Sequence, residues 1–190
     1  MKIIIIGAGQ VGSTLAENLA REYHDITLID LDETRLQFIQ DHHDIRTVTG
    51  TGCHPDILLA AGIEDADMLV SVTNSDEINI VACQVAHSIF NISKKIARIR
   101  SQEFLGSKWS KLYSKSNLPI DVIISPELEV AKSLQRKLEA PGALDNVPFA
   151  ENKITVLEIA IEKKCPVINT PLEKLTTSYP NLNANVLGVI

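Results

Sequence analysis

Met1-Lys2-Ile3-Ile4-Ile5-Ile6-Gly7-Ala8-Gly9-Gln10-Val11-Gly12 is the stretch whose reading decides the fold. Four consecutive isoleucines suit a strand buried on both faces by helices, because a strand with one wet face alternates apolar and polar residues. The run leads straight into G-x-G-x-x-G, where each glycine has its own task. Gly7 permits the sharp turn out of the strand, and Gly9 lacks a Cβ that would obstruct a pyrophosphate. Gly12 lets the following helix pack closely on the sheet. The free N–H groups of Ala8, Gly9, Gln10 and Val11, at or near that helix start, are candidates to face phosphates.

The flanking sequence supports this reading. Val11, Leu15 and Leu19 recur at a four-residue step with Ala16 and Ala20 beside them, the pattern of a helix packed on a sheet. A second strand, Ile26-Thr27-Leu28-Ile29, ends at Asp30, where a carboxylate is placed to accept hydrogen bonds from the adenosine ribose. The same charge repels a 2′-phosphate, so NAD⁺/NADH is favoured over its phosphorylated counterpart.

The 190 residues suffice for one full domain plus a fragment, or for two small domains. Apolar residues at 45% and charged residues at 22% are those of an ordinary globular chain. No apolar run approaches the length of a membrane span, and the chain starts on a strand rather than a signal peptide, so any membrane role is expected through a partner. A net charge of −6 argues against general nucleic-acid binding. Cys53, Cys83 and Cys165 are widely spaced and in no CxxC pattern, which fits a reducing compartment and no structural zinc site. Cys53-His54 and His42-His43 lack a third ligand at suitable spacing and read as loop surface.

Strand and helix signals alternate through the first two thirds of the chain. Asp32 caps a helix over 33–42 that buries Leu36 and Ile39, and a strand over 45–49 ends in Gly50-Thr51-Gly52. Pro55 opens a short helix that Gly62 closes. A strand over 68–73 precedes a long helix over 75–90 expected to bury Ile78, Val81, Ala82, Val85 and Ile89. Asn74-Ser75-Asp76-Glu77 resembles a capping box with Asn74 as N-cap, a role compatible with ligand contact. Strands over 96–99 and 122–124 follow. This alternation predicts an α/β fold, a doubly wound parallel sheet of the Rossmann-like kind. A crossover helix over about 126–138 is expected after it, capped by Ser125 and carrying Leu128, Ala131, Leu134 and Leu138, to lie on its own sheet or reach a second subunit.

Beyond Pro141-Gly142 the pattern changes to a strand over 154–161, then Pro166-Val167-Ile168, a short helix begun by Thr170-Pro171, and a strand over 186–190. These pieces form an incomplete second unit, most simply part of a longer protein. The expected domains are thus 1–140, Rossmann-like, and 141–190, a truncated α+β lobe.

In an open parallel sheet ligands bind beyond the carboxyl ends of the strands. That criterion collects Gly7 to Val11, Asp30, Gly50 to Cys53, Thr73, Asn74 and Arg98. Arg98 either turns over the cleft toward a phosphate or forms a surface ion pair. The stretch 94–115 holds seven basic residues and one acid with Trp109 and Tyr113 interleaved. In an acidic chain it reads better as a solvated connection, with Phe104, Leu105, Trp109 and Leu112 facing the core, than as a nucleic-acid surface. No His or Lys sits in a recognisable catalytic signature and no G-x-S-x-G occurs, so the cofactor site carries no evident chemistry.

Taken together, the glycine motif, Leu28-Ile29-Asp30, Thr51-Gly52-Cys53-His54-Pro55, Ala66-Asp67-Met68-Leu69-Val70, Val72-Thr73-Asn74-Ser75-Asp76-Glu77 and Ile96-Ala97-Arg98-Ile99 resemble the RCK/KTN family. The likeness covers the first domain to about residue 140, and the remainder resembles the opening of the RCK C-terminal lobe. It implies a non-enzymatic regulator of potassium uptake, cytoplasmic and peripheral at the inner face of the plasma membrane. It also implies a homo-oligomer built through RCK domains, a membrane-embedded potassium transporter subunit as partner, and no nucleic acid. The implied NAD⁺/NADH site is Gly7 to Val11, Asp30, Thr73, Asn74 and Arg98. Many members carry Gly-Asp after the third strand, whereas Gly52 is followed here by Cys53, so no ligand contact from that position carries over. The alternatives are an ATP/ADP-preferring RCK module and an NAD-dependent oxidoreductase whose catalytic part lies beyond Ile190.

Overall fold

The unbroken isoleucine run at the start of the chain forms the central strand of a sheet covered on both faces. The structure, a computed structural model, describes residues 1–113, 117–150, 153–178 and 185–189. β1 (Lys2–Ile6) leads into α1 (Gln10–Arg21), β2 (Asp25–Asp30), α2 (Glu33–His42), β3 (Arg46–Thr49) and α3 (Pro55–Ala60). A 3-10 turn precedes β4 (Met68–Ser71), followed by α4 (Asp76–Ser88), β5 (Lys94–Arg98), α5 (Gln102–Leu105), a 3-10 segment over Ser107–Tyr113 and β6 (Val122–Ile124). The six strands are all parallel in the order β3-β2-β1-β4-β5-β6. Strand order reverses beside β1, where open sheets of this kind bind ligands. The fold is therefore Rossmann-like and doubly wound, as the alternation predicts.

β1 shows why its sequence does not alternate. Ile3 and Ile5 pack on one side with Ala16, Leu28, Leu36 and Ile39, whereas Ile4 and Ile6 pack on the other with Leu58, Ala82, Cys83 and Ala86. Both faces are dry, so every position is apolar. Asp32 caps α2 by accepting the Arg35 N–H at 3.0 Å, and Gly62 at φ 81° ends the turn after α3.

Several side chains depart from expectation. Val11 is exposed, because Gly12 and Ala16 are the small residues that let α1 approach the sheet. On α4 Val81 is exposed, as is Ile89 at its C-cap, and the buried face is Asp76, Asn79, Ile80, Ala82, Cys83 and Ala86. That face is rotated from the expected one because Asp76 and Asn79, both polar, point inward to bond the backbone. Trp109 is exposed, while Phe104, Leu105 and Tyr113 pack against the core.

The chain divides into two compact units, Met1–Glu129 and 130–190, and the division falls inside α6 (Pro126–Glu139). The Ser125 Oγ is buried without a hydrogen-bond partner, so the expected side-chain cap of α6 is not made. In the second unit β7 (Ala143–Phe149) pairs antiparallel with β8 (Ile154–Ile159), and α7 (Leu172–Ser178) follows. β7 forms although Asp145, Asn146 and Pro148 interrupt any strand pattern in its sequence. Residues 186–189 carry no regular structure where a strand was expected, and Ile190 lies outside the described residues.

Candidate functional site

The turn after β1 is held from beneath. The Gly7 N–H donates to the Ile29 carbonyl at 2.7 Å, and Gly7 adopts φ 103°, a conformation that disfavours any side chain. A Cβ on Gly12 would stand 1.8 Å from the Gly7 carbonyl oxygen, so only glycine lets α1 begin this close to the turn. A Cβ on Gly9 would meet nothing within 4 Å and would project into open space. No atom of the chain therefore crowds the backbone of the turn at Gly9.

Asp30, at the end of β2, accepts the Ala8 N–H on Oδ2 at 2.6 Å and the Asp32 N–H on Oδ1 at 2.9 Å. Its carboxylate is thereby oriented, and each oxygen retains lone-pair capacity for a ribose hydroxyl. The bond to Ala8 also ties the glycine turn to β2.

On the opposite side of β1, Thr73 follows β4 and is organised by Asn79 of α4, a fully buried residue. Asn79 Oδ1 accepts from Ser71 Oγ at 2.9 Å, Thr73 N at 2.9 Å and Thr73 Oγ1 at 2.7 Å, while Nδ2 donates to the Arg98 carbonyl at 2.8 Å. One side chain thus locks the ends of β4 and β5 together. The N-cap of α4 is Ser75 rather than Asn74: Ser75 Oγ accepts from Ile78 N at 3.2 Å and donates to Glu77 Oε2 at 2.7 Å. That donation holds the Glu77 carboxyl below its ordinary range. Asn74 is left for the cleft, its carbonyl accepting from the Arg100 guanidinium. Asp76 Oδ2 accepts the N–H groups of Arg100 and Ser101 at 2.9 and 2.8 Å, fixing the chain as it leaves β5.

These elements enclose a cleft of about 490 Å³ at the carboxyl ends of the strands. Gly7, Gly9, Gln10, Val11, Asp30, Thr73, Asn74 and Arg98 line it together. Of the other candidates, Ala8 is buried behind the wall with its N–H on Asp30, and Gly12 is packed against Gly7. Gly50, Thr51 and Gly52 line the cleft and Cys53 does not. Leu31, Arg35 and Ile78 line it as well, and sequence reasoning missed them. It also missed Asn79, whose only signal was an amide between two isoleucines on an apolar helix. Arg98 makes no side-chain hydrogen bond or ion pair among the described residues, and its Nε is buried without a partner. An open cradle at Gly9, an oriented carboxylate at Asp30 and an unsatisfied guanidinium fit a phosphorylated nucleoside.

Below the site, Lys95 is buried, and its Nζ lies 3.0 Å from Asp121 Oδ2. Burial pushes the Asp121 carboxyl up, but hydrogen bonds from Lys95 and the charges of Lys95 and Lys94 outweigh it and bring it below its ordinary value. Cys83, beneath the same strand, has its thiol pushed up to about 12, chiefly by burial.

A family model described as the TrkA-N domain matches residues 3–126. The Trk system potassium uptake protein TrkA of Azorhizobium caulinodans is 47% identical over 189 residues, an alignment that takes in 100% of this chain and 41% of the relative. The chain thus spans less than half the length of that relative. Among solved structures, the GsuK RCK domain superposes with a TM-score of 0.57 at 28% identity, over 73% of this chain and 28% of that one. GsuK bound to ADP gives a TM-score of 0.58 at 27% identity, over 73% and 34% of the two chains.

Proposed function

The chain belongs to the TrkA-N domain family, and from that premise we propose that it is a nucleotide-sensing regulatory module of a potassium-uptake system rather than an enzyme. The observation that carries this reading is the convergence of the glycine turn, Asp30, Thr73, Asn74 and Arg98 on one cleft. In it, Asp30 takes the adenosine ribose, the amides around Gly9 take the diphosphate, and Arg98 faces the distal half of the ligand. Asp30 is the one proton-transfer group among the lining residues, and both of its oxygens already hold backbone N–H groups. That supports binding over catalysis.

The ligand is NAD⁺/NADH, and the module acts by linkage. A nucleotide shifts the balance between two arrangements of the assembly only by its difference in affinity for them. The module works as a homo-oligomer at the cytoplasmic face of the membrane, on a membrane-embedded, TrkH-like potassium transporter subunit. No helix among the described residues is long and apolar enough to cross a membrane itself. Residues 1–140 form the nucleotide domain and 141–190 the opening of an RCK C-terminal lobe. A second reading, an ATP/ADP module, is favoured by the likeness to GsuK bound to ADP and by the unpaired Arg98, which suits a terminal phosphate.

Titration calorimetry with NAD⁺, NADH, ATP and ADP separates the two readings. Asp30→Ala is expected to weaken NADH at least tenfold while the chain stays folded by circular dichroism. Unchanged affinity in that variant removes Asp30 from the site, and no heat from any of the four nucleotides ends the proposal.

A further inference from the structure

The charges on the cleft wall are unevenly distributed. At the β2 end stand Asp30 and Arg35, and the Arg35 guanidinium is engaged with Asp32 at 3.3 Å. At the other end the segment after β4 supplies Thr73 and Asn74 and the end of β5 supplies Arg98, of which only Arg98 is charged. No acid among the described residues pairs with it, and its Nε is buried without an acceptor. β1 and β4 lie between β2 and β5. At about 4.8 Å per strand step, the two strand ends stand about 14 Å apart. Asp30 and Arg98 therefore address different halves of a dinucleotide.

We propose that Arg98 makes this cleft selective for the charge of the ligand half remote from adenosine, so that a dinucleotide ending in a neutral dihydronicotinamide ring is held more tightly than one ending in a cationic nicotinamide ring. The inference rests on the nucleotide reading above and adds the direction of its redox preference. An unpaired, half-buried guanidinium repels a second cation brought into the same cleft, where water screens the pair less than it does in bulk. The neutral ring meets no such repulsion. Among the residues lining the distal wall Thr73 and Asn74 are uncharged, and the Thr73 hydroxyl is already committed to Asn79. The Asp76 carboxylate is outside that lining, held by the Arg100 and Ser101 N–H groups and 3.9 Å from the Arg100 guanidinium. The adenosine half is common to both ligands and contributes equally to both, so it drops out of the ratio.

The test is calorimetric titration of the full chain with NAD⁺ and NADH, for the unmodified protein and for Arg98→Gln and Arg98→Lys. The unmodified protein is expected to bind NADH about tenfold more tightly than NAD⁺ at low salt, a ratio that shrinks as salt is added. Arg98→Lys keeps the cation and the preference. Arg98→Gln brings the ratio toward one, mainly through tighter NAD⁺ binding. Equal affinities in the unmodified protein, or an unchanged ratio in Arg98→Gln, overturn the inference while leaving a nucleotide site standing. Absence of binding by either dinucleotide to the unmodified protein overturns the nucleotide reading and this inference with it. Should Arg98→Gln fail to fold, loss of the preference in Arg98→Lys or its indifference to salt overturns the inference by itself.

Discussion

At the scale of single residues, the site depends on a side chain that touches no ligand. Asn79 is fully buried and matches one carbonyl oxygen and one amide to groups on β4, on Thr73 and on β5. Truncation strands those groups in the interior, where each unmatched one costs about 1–3 kcal/mol. Asn79→Ala is therefore expected to lower unfolding stability by about 3 kcal/mol in urea titrations. A loss within experimental error would mean that water restores the bonds. Asn79→Asp is expected to be no rescue: it keeps an acceptor for Thr73 but sets a carboxylate against the Thr73 and Arg98 carbonyls that Nδ2 now serves. The residue was not legible as functional in the sequence because its role is defined by partners 6 and 19 positions away, which no local pattern encodes. The place of Asp30 in the cleft was legible, since its position relative to the glycine motif is set by the length of one helix and one strand.

At the scale of elements, the proposed function separates folding from binding at the β1–α1 junction within a span of four residues. Gly12 is a packing residue, because any Cβ there meets the Gly7 carbonyl at 1.8 Å. Gly9 is under no such packing constraint, because a Cβ there meets nothing, and the proposed function gives it to the ligand. Gly12→Ala is expected to destabilise by about 3 kcal/mol through overpacking. Gly9→Ala, at the N-cap of α1, is expected to lose only about 1 kcal/mol. Nucleotide affinity should reverse the order of damage, with Gly9→Ala losing binding by at least tenfold while its melting curve stays near that of the unmodified chain. Equal destabilisation by both variants would deny the division of labour. The six-strand parallel sheet was readable because hydrophobic runs, caps and turns agree at every step from β1 to β6. The α4 face was misread for a physical reason: Asp76 and Asn79 are buried by hydrogen bonding, and apolar periodicity counts them as surface. β7 escaped for a related one. Its strand geometry comes from pairing with β8 rather than from its own residues, four of the seven being Asp, Asn, Pro or Ala.

At the scale of the whole molecule, two features act beyond the cleft. Because burial raises the Cys83 thiol from its ordinary value near 9 to about 12, the unfolded chain loses that proton at a pH where the folded chain keeps it. Stability contributed by this group is intact below pH 9 and falls as the pH rises toward 12, by about 1.4 kcal/mol per unit. Cys83→Ala should flatten that alkaline slope in denaturation curves taken across the window, and an unchanged slope would assign it to other groups. The second feature is the face of α6. Val130, Leu134 and Leu138 recur at i, i+4 and i+8 and are 59%, 58% and 81% exposed, a stripe that a lone chain leaves in water. Burying a leucine side chain stabilises by about 1.5–3 kcal/mol, so a stripe met by its own copy is a ready source of association. The apolar residues of β7 and β8 that are also exposed, Leu144, Phe149 and Ile154 among them, add to the same tendency. Sedimentation velocity is expected to show the chain as an oligomer at micromolar concentration and Leu134→Glu shifted toward the monomer. Glutamate forms helix as readily as leucine, so α6 itself should survive the change, with helical content by circular dichroism unaltered. A monomer in both cases would leave the stripe to some other partner and remove self-association from the proposed assembly.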